Sequence, residues 1–316
     1  MVGSMNAAIA GLKSHQSRMD VISNNIANVN TWGYKAQSAN FTDTLYHAQK
    51  NGQANGGNVA GALGGINSSQ IGYGVDIGSI GVNYTTGSRS MTGKANELMI
   101  DGPGFFIVGP YVADIDNGVG TSLNNGNAGE IGLTGEDGIM LSRVGILNKD
   151  NEGYLVDDSG NYVYGYVNRN QNSTDADPMD YTVLTRIRCK DLRGGEPGED
   201  FASISFQKDG TITGVTKDGS TTVVIGKIAV ANVSNANGLE KDGGYYYTIG
   251  PNAGAVTAMQ TTKATGSILS GYLEMSNTNL ADEIANMIIT QRGYQANTKM
   301  ITVTDEMLQE LVNMKR

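Results

Sequence analysis

The chain has one cysteine, Cys189, so it can hold no internal disulfide framework. A lone cysteine suits a reducing cytosol, and equally an exported protein held together by association. Its two histidines, His15 and His47, stand far from each other and from Cys189. That distribution leaves no metal site to expect. Neither a G-x-S-x-G elbow nor a Walker-type loop occurs, so no catalytic or cofactor-binding residues are assigned and the chain is read as a non-enzyme without cofactors. One Trp and five Phe are thin for a single large core, and the 15 Tyr fall largely in short alternating segments that read as half-exposed. Apolar clusters such as Met287-Ile288-Ile289 fall far short of the ~20 residues of a membrane span, so no membrane insertion is expected. Residues 1–12 lack a basic n-region and an unbroken apolar core, so export without a cleaved leader is the expectation if the protein leaves the cell. Basic residues are short as well: 22 Lys and Arg against 31 Asp and Glu give a net charge of -9. Such a balance repels nucleic acid and anionic lipid.

What is abundant is glycine. The 44 Gly are about twice the usual ~7% share, with only five Pro and no three-residue period. Collagen is excluded and frequent tight turns are indicated. The length of 316 residues allows about two domains.

Both ends carry heptad periodicity. Met1, Met5, Ala8, Leu12, His15, Met19, Ile22, Ile26 and Val29 step alternately by four and three, with Asn, Ser, Gln and a few charges between them. That is a narrow coiled-coil stripe, and the helix carrying it is expected to end near Asn30. Leu280, Ile284, Met287, Tyr294, Ile301, Leu308 and Val312 lie on a second such ladder, interrupted by Gln291, Thr298 and Asp305. Asn279 or Thr278 caps this helix, Asp282 and Glu283 favour its first turn, and Lys315 and Arg316 its last. The expected fold class is α+β, with paired N- and C-terminal helices forming a coiled-coil inner domain and an all-β middle. Pairing is expected to bury both stripes. Ordering about seventy residues costs roughly what that burial returns, so the pair is expected to need neighbouring copies.

Between the ends the texture changes. Residues 1–34 and 278–316 are assigned to the helical domain, 35–74 to an extended linker, and 75–277 to a β-rich outer domain with polar insertions near 112–138 and 168–199. Asp209-Gly210, Asp218-Gly219 and Asp242-Gly243 predict hairpin turns, as do Gly153 and Gly160 with their polar neighbours.

Three segments carry a family resemblance. Ile22-Ser23-Asn24-Asn25-Ile26-Ala27-Asn28-Val29-Asn30-Thr31-Trp32-Gly33-Tyr34-Lys35 resembles the N-terminal signature of the flagellar rod and hook proteins. Leu280-Ala281-Asp282-Glu283, Gln291-Arg292-Gly293-Tyr294-Gln295-Ala296-Asn297 and Asp305-Glu306-Met307-Leu308-Gln309 are similar to the same family's tail. Asp101-Gly102-Pro103-Gly104-Phe105-Phe106 resembles its central glycine-phenylalanine segment. The resemblance implies an axial subunit of the bacterial flagellum that self-assembles into a helical tube, its terminal helices lining the channel. Within the family the tail and the strand pair over 153–166 look hook-like, giving a flexible torque-transmitting joint as the expected role and the distal rod as the alternative. As a hook subunit it would have these partners: copies of itself, the distal rod protein at the proximal end, the hook cap during assembly, the hook-filament junction protein at the distal end, and the flagellar type III export apparatus. The expected localisation is extracellular. An extra segment beside the first helix is what stiffens the rod relative to the hook, which makes residues 51–74 matter.

The Asn-rich run also has a local reading. Asn24, Asn25, Asn28 and Asn30 can cap the helix or bond adjacent backbones, and Gly33 can take the left-handed geometry that turns the chain away. Other candidates read as structure. His15 is a packed seam residue and His47 a solvated one; Gly102-Pro103-Gly104 is a turn between strands; Asp157-Asp158, Asp114, Asp116, Asn117 and the acid run at 175–180 are turn and surface residues. Cys189 has basic neighbours, Arg188 and Lys190, that lower a thiol pKa where exposure allows it. From another class, a secreted glycan-binding β-domain on a coiled-coil stalk fits the β pattern and the Tyr content. It does not account for a stalk split between the termini and rich in Asn.

Overall fold

A computed structural model describes residues 2–54, 65–111, 131–133, 138–167, 184–191, 199–219, 221–259 and 265–314. Met1, Asp114, Asp116, Asn117, the acid run at 175–180, Lys315 and Arg316 lie outside the described residues. The chain divides into two compact units and is α+β. Unit one comprises Met1–Asn28, Ala36–Asn83 and Thr278–Arg316; unit two comprises Val29–Lys35 and Tyr84–Asn277.

Unit one holds the helices α1 (Val2–Ala27) and α2 (Leu280–Met314). The start of α2 is set locally: Asn279 Oδ1 accepts the Ala281 N–H at 3.1 Å, and Asp282 and Glu283 occupy the first turn, as the sequence predicts. Four strands accompany the helices. β1 (Gln37–Asp43) pairs antiparallel with β4 (Val75–Val82), and β2 (Tyr46–Lys50) with β3 (Ser69–Gly72). A bridge between Gln53 and Ile66 continues the ribbon. The stretch 35–74, expected as an extended linker, is therefore largely paired strand in its described residues. Most side chains of β2 and β3 are exposed, so the ribbon is held by backbone hydrogen bonds that leave no apolar alternation to read. The ribbon lies against α1. Ser14 Oγ bonds the Val75 carbonyl at 3.0 Å, and Gly74 has φ 120°, where a Cβ would stand 3.1 Å from Cα of Ala7.

Unit two is antiparallel sheet in all its described pairings. Its first strands are β5 (Arg89–Met91), β6 (Glu97–Asp101), β7 (Phe105–Gly109), β8 (Ile131–Leu133), β9 (Met140–Ser142), β10 (Gly145–Lys149), β11 (Leu155–Asp157) and β12 (Tyr162–Val167). The main sheet runs β9-β7-β12-β11-β10-β6 through its middle. β7 is buried on both faces, which its unbroken Phe-Phe-Ile-Val run provides. Phe105 and Ile107 join one core with Leu141, Tyr164 and Tyr166; Phe106 and Val108 join the other with Leu98, Val163 and Ile225. The two-residue period of a strand makes that division.

Two expectations change here. Tyr164, Tyr166 and Tyr247 are buried, not half-exposed, and they supply the bulk that scarce Phe and Trp do not. For two of them burial is tolerated because the hydroxyl is satisfied: Tyr164 donates to the Pro110 carbonyl at 2.6 Å and Tyr166 to that of Ala258 at 2.9 Å. Residues 184–191, expected in a polar insertion, run through the core, with Leu184, Ile187 and Cys189 buried. All five predicted turn glycines, Gly153, Gly160, Gly210, Gly219 and Gly243, have positive φ between paired strands.

Candidate functional site

Chemistry-bearing groups gather in two places, one in each unit. In unit one, α1 and α2 run antiparallel. A Cβ added to Gly11 would stand 2.6 Å from Nδ2 of Asn297, and one added to Gly293 would stand 2.7 Å from Cε1 of His15. Each helix thus carries a glycine notch where the other sets a polar side chain. Further along, Asn25 Nδ2 donates to Glu283 Oε1 at 3.0 Å. From Gly11 to His15 to Asn25 the steps are four and ten, and α2 steps back equally from Asn297 to Gly293 to Glu283. Asn25 is fully buried and also exchanges two hydrogen bonds with the backbone of Gln37, so it ties α1, β1 and α2 together. Asn28 donates to the Asn24 carbonyl and to Asn24 Oδ1, both at 2.9 Å, closing the end of α1.

The contacts shown between the helices are small or polar, Gly11 with Asn297, His15 with Gly293 and Asn25 with Glu283, and the two fully buried positions of α2, Thr290 and Thr304, are small and polar as well. This corrects the expectation that pairing buries both apolar stripes. Among the described residues of the first stripe, Ala8 and Ile22 are buried, while Met5, Leu12, His15, Met19, Ile26 and Val29 are half-buried. Of the second, Met287 and Ile301 are half-buried, and Leu280, Ile284, Tyr294, Leu308 and Val312 are exposed, Val312 at 68%. Ile289 is 62% exposed beside Thr290 at 1%. On α1 the buried face lies one residue back from the stripe at Gly11, Val21 and Asn25, a rotation of about 100°. Small residues let the backbones approach, and the longer side chains stand off the seam. His15 packs edge-on to Phe41 with ring centroids 5.3 Å apart. Its Nδ1 is buried without a hydrogen-bond partner among the described residues, and burial, with Arg18 nearby, pulls its pKa down.

In unit two, Lys35, Arg143 and Glu274 form a buried ion cluster. Lys35 Nζ lies 2.7 Å from Glu274 Oε1, and Arg143 Nε lies 2.5 Å from Oε2. The Gly87 N–H adds a third donor to Glu274 at 2.7 Å. Arg143 spends its remaining donors on the carbonyls of Gly102 at 2.6 Å, Ile100 at 3.2 Å and Gly104. Lys35 also reaches the Thr85 carbonyl at 2.8 Å. The chain enters or leaves unit two next to Lys35, Tyr84 and Asn277. These passages are stitched together, since Asn277 N–H donates to the Tyr34 carbonyl and Gly33 N–H to that of Glu274. Gly33 has φ 62°, the left-handed turn expected of it. Burial pushes the Glu274 carboxyl up, but Arg143 and Lys35 outweigh it and hold the pKa below the carboxylate range. Burial pulls Lys35 down, opposed by Glu274 and assisted by Arg143.

Two resembling segments therefore meet at one cluster: Lys35 from the N-terminal motif and the Gly102 and Gly104 carbonyls from the central one. Sequence reasoning missed Arg143 and Glu274. The signal was there, a lone charge inside a short apolar run, in Leu141-Ser142-Arg143-Val144 and in Tyr272-Leu273-Glu274-Met275. Among the other motif residues Tyr34 is buried under the Lys241 ammonium, Thr31 is half-buried, and Asn30, Gln291 and Arg292 are exposed. Cys189 is buried and its thiol is pushed up to about 12, so its basic neighbours do not activate it. Asp157 shapes its turn by accepting the N–H groups of Ser159 and Asn161 at 2.9 Å. Among the described residues no group of three or more acidic, His or Cys side chains could hold a metal, and no helix is long and apolar enough to cross a membrane.

Comparison with known proteins agrees with the two terminal motifs. Residues 5–35 match the family described as "Flagella basal body rod protein", and residues 269–314 that described as "Flagellar basal body rod FlgEFG protein C-terminal". The chain is 36% identical to the flagellar basal-body rod protein FlgG of Bacillus subtilis over 321 residues, covering 100% of each. It is 30% identical to FlgG of Buchnera aphidicola subsp. Acyrthosiphon pisum, covering 98% of this chain and 99% of that one. It is also similar to the flagellar hook protein FlgE of Borreliella burgdorferi, 26% identical over 451 residues with 100% of each covered.

Proposed function

The chain belongs to the family of bacterial flagellar rod and hook axial proteins, and on that premise we propose that it is a distal-rod subunit. As a family member it is a structural subunit of the flagellum that polymerises with its own kind. One observation carries rod over hook: the Bacillus rod relative aligns over 321 residues, while the Borreliella hook relative needs 451 to span both chains. The paired ribbon of unit one supports the same reading. It is pinned to α1 through Ser14 and Asn25, and a ribbon fixed along the first helix resists bending. In this proposal the exposed side chains Ile284, Ile289, Leu308, Leu311 and Val312 are the subunit contacts, joined by the half-buried Leu12, Met19 and Ile26. Coiled-coil packing of the stripes then takes place between copies. Export unfolded through the flagellar type III apparatus completes the proposal; a single cysteine needs no oxidative pairing on that route.

Negative-stain imaging of polymer grown from the purified chain tests it. Straight, stiff polymers are expected, and removal of residues 46–72 should let them bend. Curved polymers from the unaltered chain would return the assignment to the hook, the second reading.

A further inference from the structure

Within the cluster of unit two, two cations, Lys35 and Arg143, face one carboxylate, Glu274. All three side chains are almost fully buried, so one positive charge is left in a site shielded from water. The same two cations line a cavity of about 70 Å³ with Tyr84, Gly104, Phe105 and Asn232. Tyr84 packs its ring near Phe105 and Tyr247, each 6.0 Å between centroids. Its hydroxyl is buried and has no hydrogen-bond partner among the described residues. Lys35 carries three ammonium protons, and its bonds to Glu274 and Thr85 leave one to give. The residues that carry an uncompensated buried charge and an unanswered buried hydroxyl line the same small space, and an anionic acceptor there would satisfy both.

We propose that this cavity is a binding site for a small monoanion of carboxylate size, held by the third Lys35 ammonium proton and the Tyr84 hydroxyl, with the Arg143 guanidinium contributing charge and no hydrogen bond. The volume takes an anion of a few heavy atoms and excludes a nucleotide or a sugar. A bound monoanion balances the cluster and so stabilises the fold at the point where the chain passes into and out of the unit. The occupant is a free ion or the carboxylate of a neighbouring copy, which share this chemistry.

Thermal unfolding of the full chain at constant ionic strength tests the site, with sodium formate as probe and sodium gluconate, a carboxylate too large for the cavity, as control. Formate should raise the midpoint in a saturable way that gluconate does not reproduce. Tyr84→Phe keeps the ring contacts and should weaken the apparent formate affinity about tenfold or more, the worth of one hydrogen bond to a charged group. Equal effects of formate and gluconate on the unaltered chain, or an unchanged formate response in Tyr84→Phe, would overturn the proposal. Sedimentation of assembled polymer separates the sources: formate that dissociates subunits identifies a neighbour's carboxylate, and formate that leaves them assembled identifies a free ion.

Discussion

The two units solve the burial problem in opposite ways. Unit two encloses its large side chains, Phe106, Leu98, Tyr164 and Tyr166, and sets even its buried charges against one another. Unit one hides small and polar residues, Gly11, Ser14, Asn25 and Thr290, and leaves Ile284, Ile289, Leu311 and Val312 in water. A contact face of glycine, histidine and asparagine fixes register through hydrogen bonds and close approach, yet it gains little from removing apolar surface. The apolar surface it leaves bare suits association between copies. Unit two thus encloses its own large side chains, whereas in the proposed assembly neighbouring copies would cover the apolar surface of unit one.

The largest effect that would break this contrast lies in unit two. Glu274→Gln strands two buried cations and is expected to cost on the order of 3–5 kcal/mol, read from chemical denaturation followed by the tyrosine signal. A loss below 1 kcal/mol would mean that the cluster is not what holds the chain's passages together. Next comes the exposed face of α2. Ile289→Asp or Leu308→Asp should leave unit-two stability unchanged, yet raise the critical concentration for assembly about ten- to hundredfold per side chain. Normal assembly of both variants would show that the exposed face is not a subunit contact.

A smaller effect tests the register within unit one. Gly293→Ala gains about 1 kcal/mol of helix propensity but drives a Cβ into the His15 ring, for a net loss of about 1 kcal/mol. Adding His15→Ala should recover most of that loss in a double-mutant cycle. Simple additivity would show that the notch is not occupied by His15.

Acid sharpens the comparison with the smallest shift. His15 has a folded pKa below its ordinary 6.5, so the unfolded chain takes up a proton first and stability falls as pH drops below 6.5 through the lowered value. Glu274 has a folded pKa below its ordinary 4.5, so its contribution is whole above 4.5 and disappears as pH falls through the depressed value. Unit one should loosen before unit two in a pH series followed by far-UV circular dichroism for the helices and by tyrosine fluorescence for the sheet. Simultaneous loss of both signals would count against separate units.

Legibility in the sequence followed how far apart the interacting residues lie. The cap at Asn279 and the turns at Gly210, Gly219 and Gly243 are local events, and local residue types announce them. The ribbon did not announce itself, because β1 and β4 are more than thirty residues apart and composition between them reads as a linker. Heptad spacing marked both helices, but hydrophobicity drew the stripe while small size selected the contact face, so Gly11 and Asn297 were passed over as a packing pair. Lys35 stood out within its motif, whereas its partners Arg143 and Glu274 are distant single charges that only the folded chain brings together.

Hydrogen exchange read by mass spectrometry, on monomer and polymer of the same preparation, tests the central claim most directly. Fast exchange is expected along α1 and α2 in the monomer and strong protection in the polymer, with β7 and β12 equally protected in both. Helices as protected in the monomer as in the polymer would contradict it.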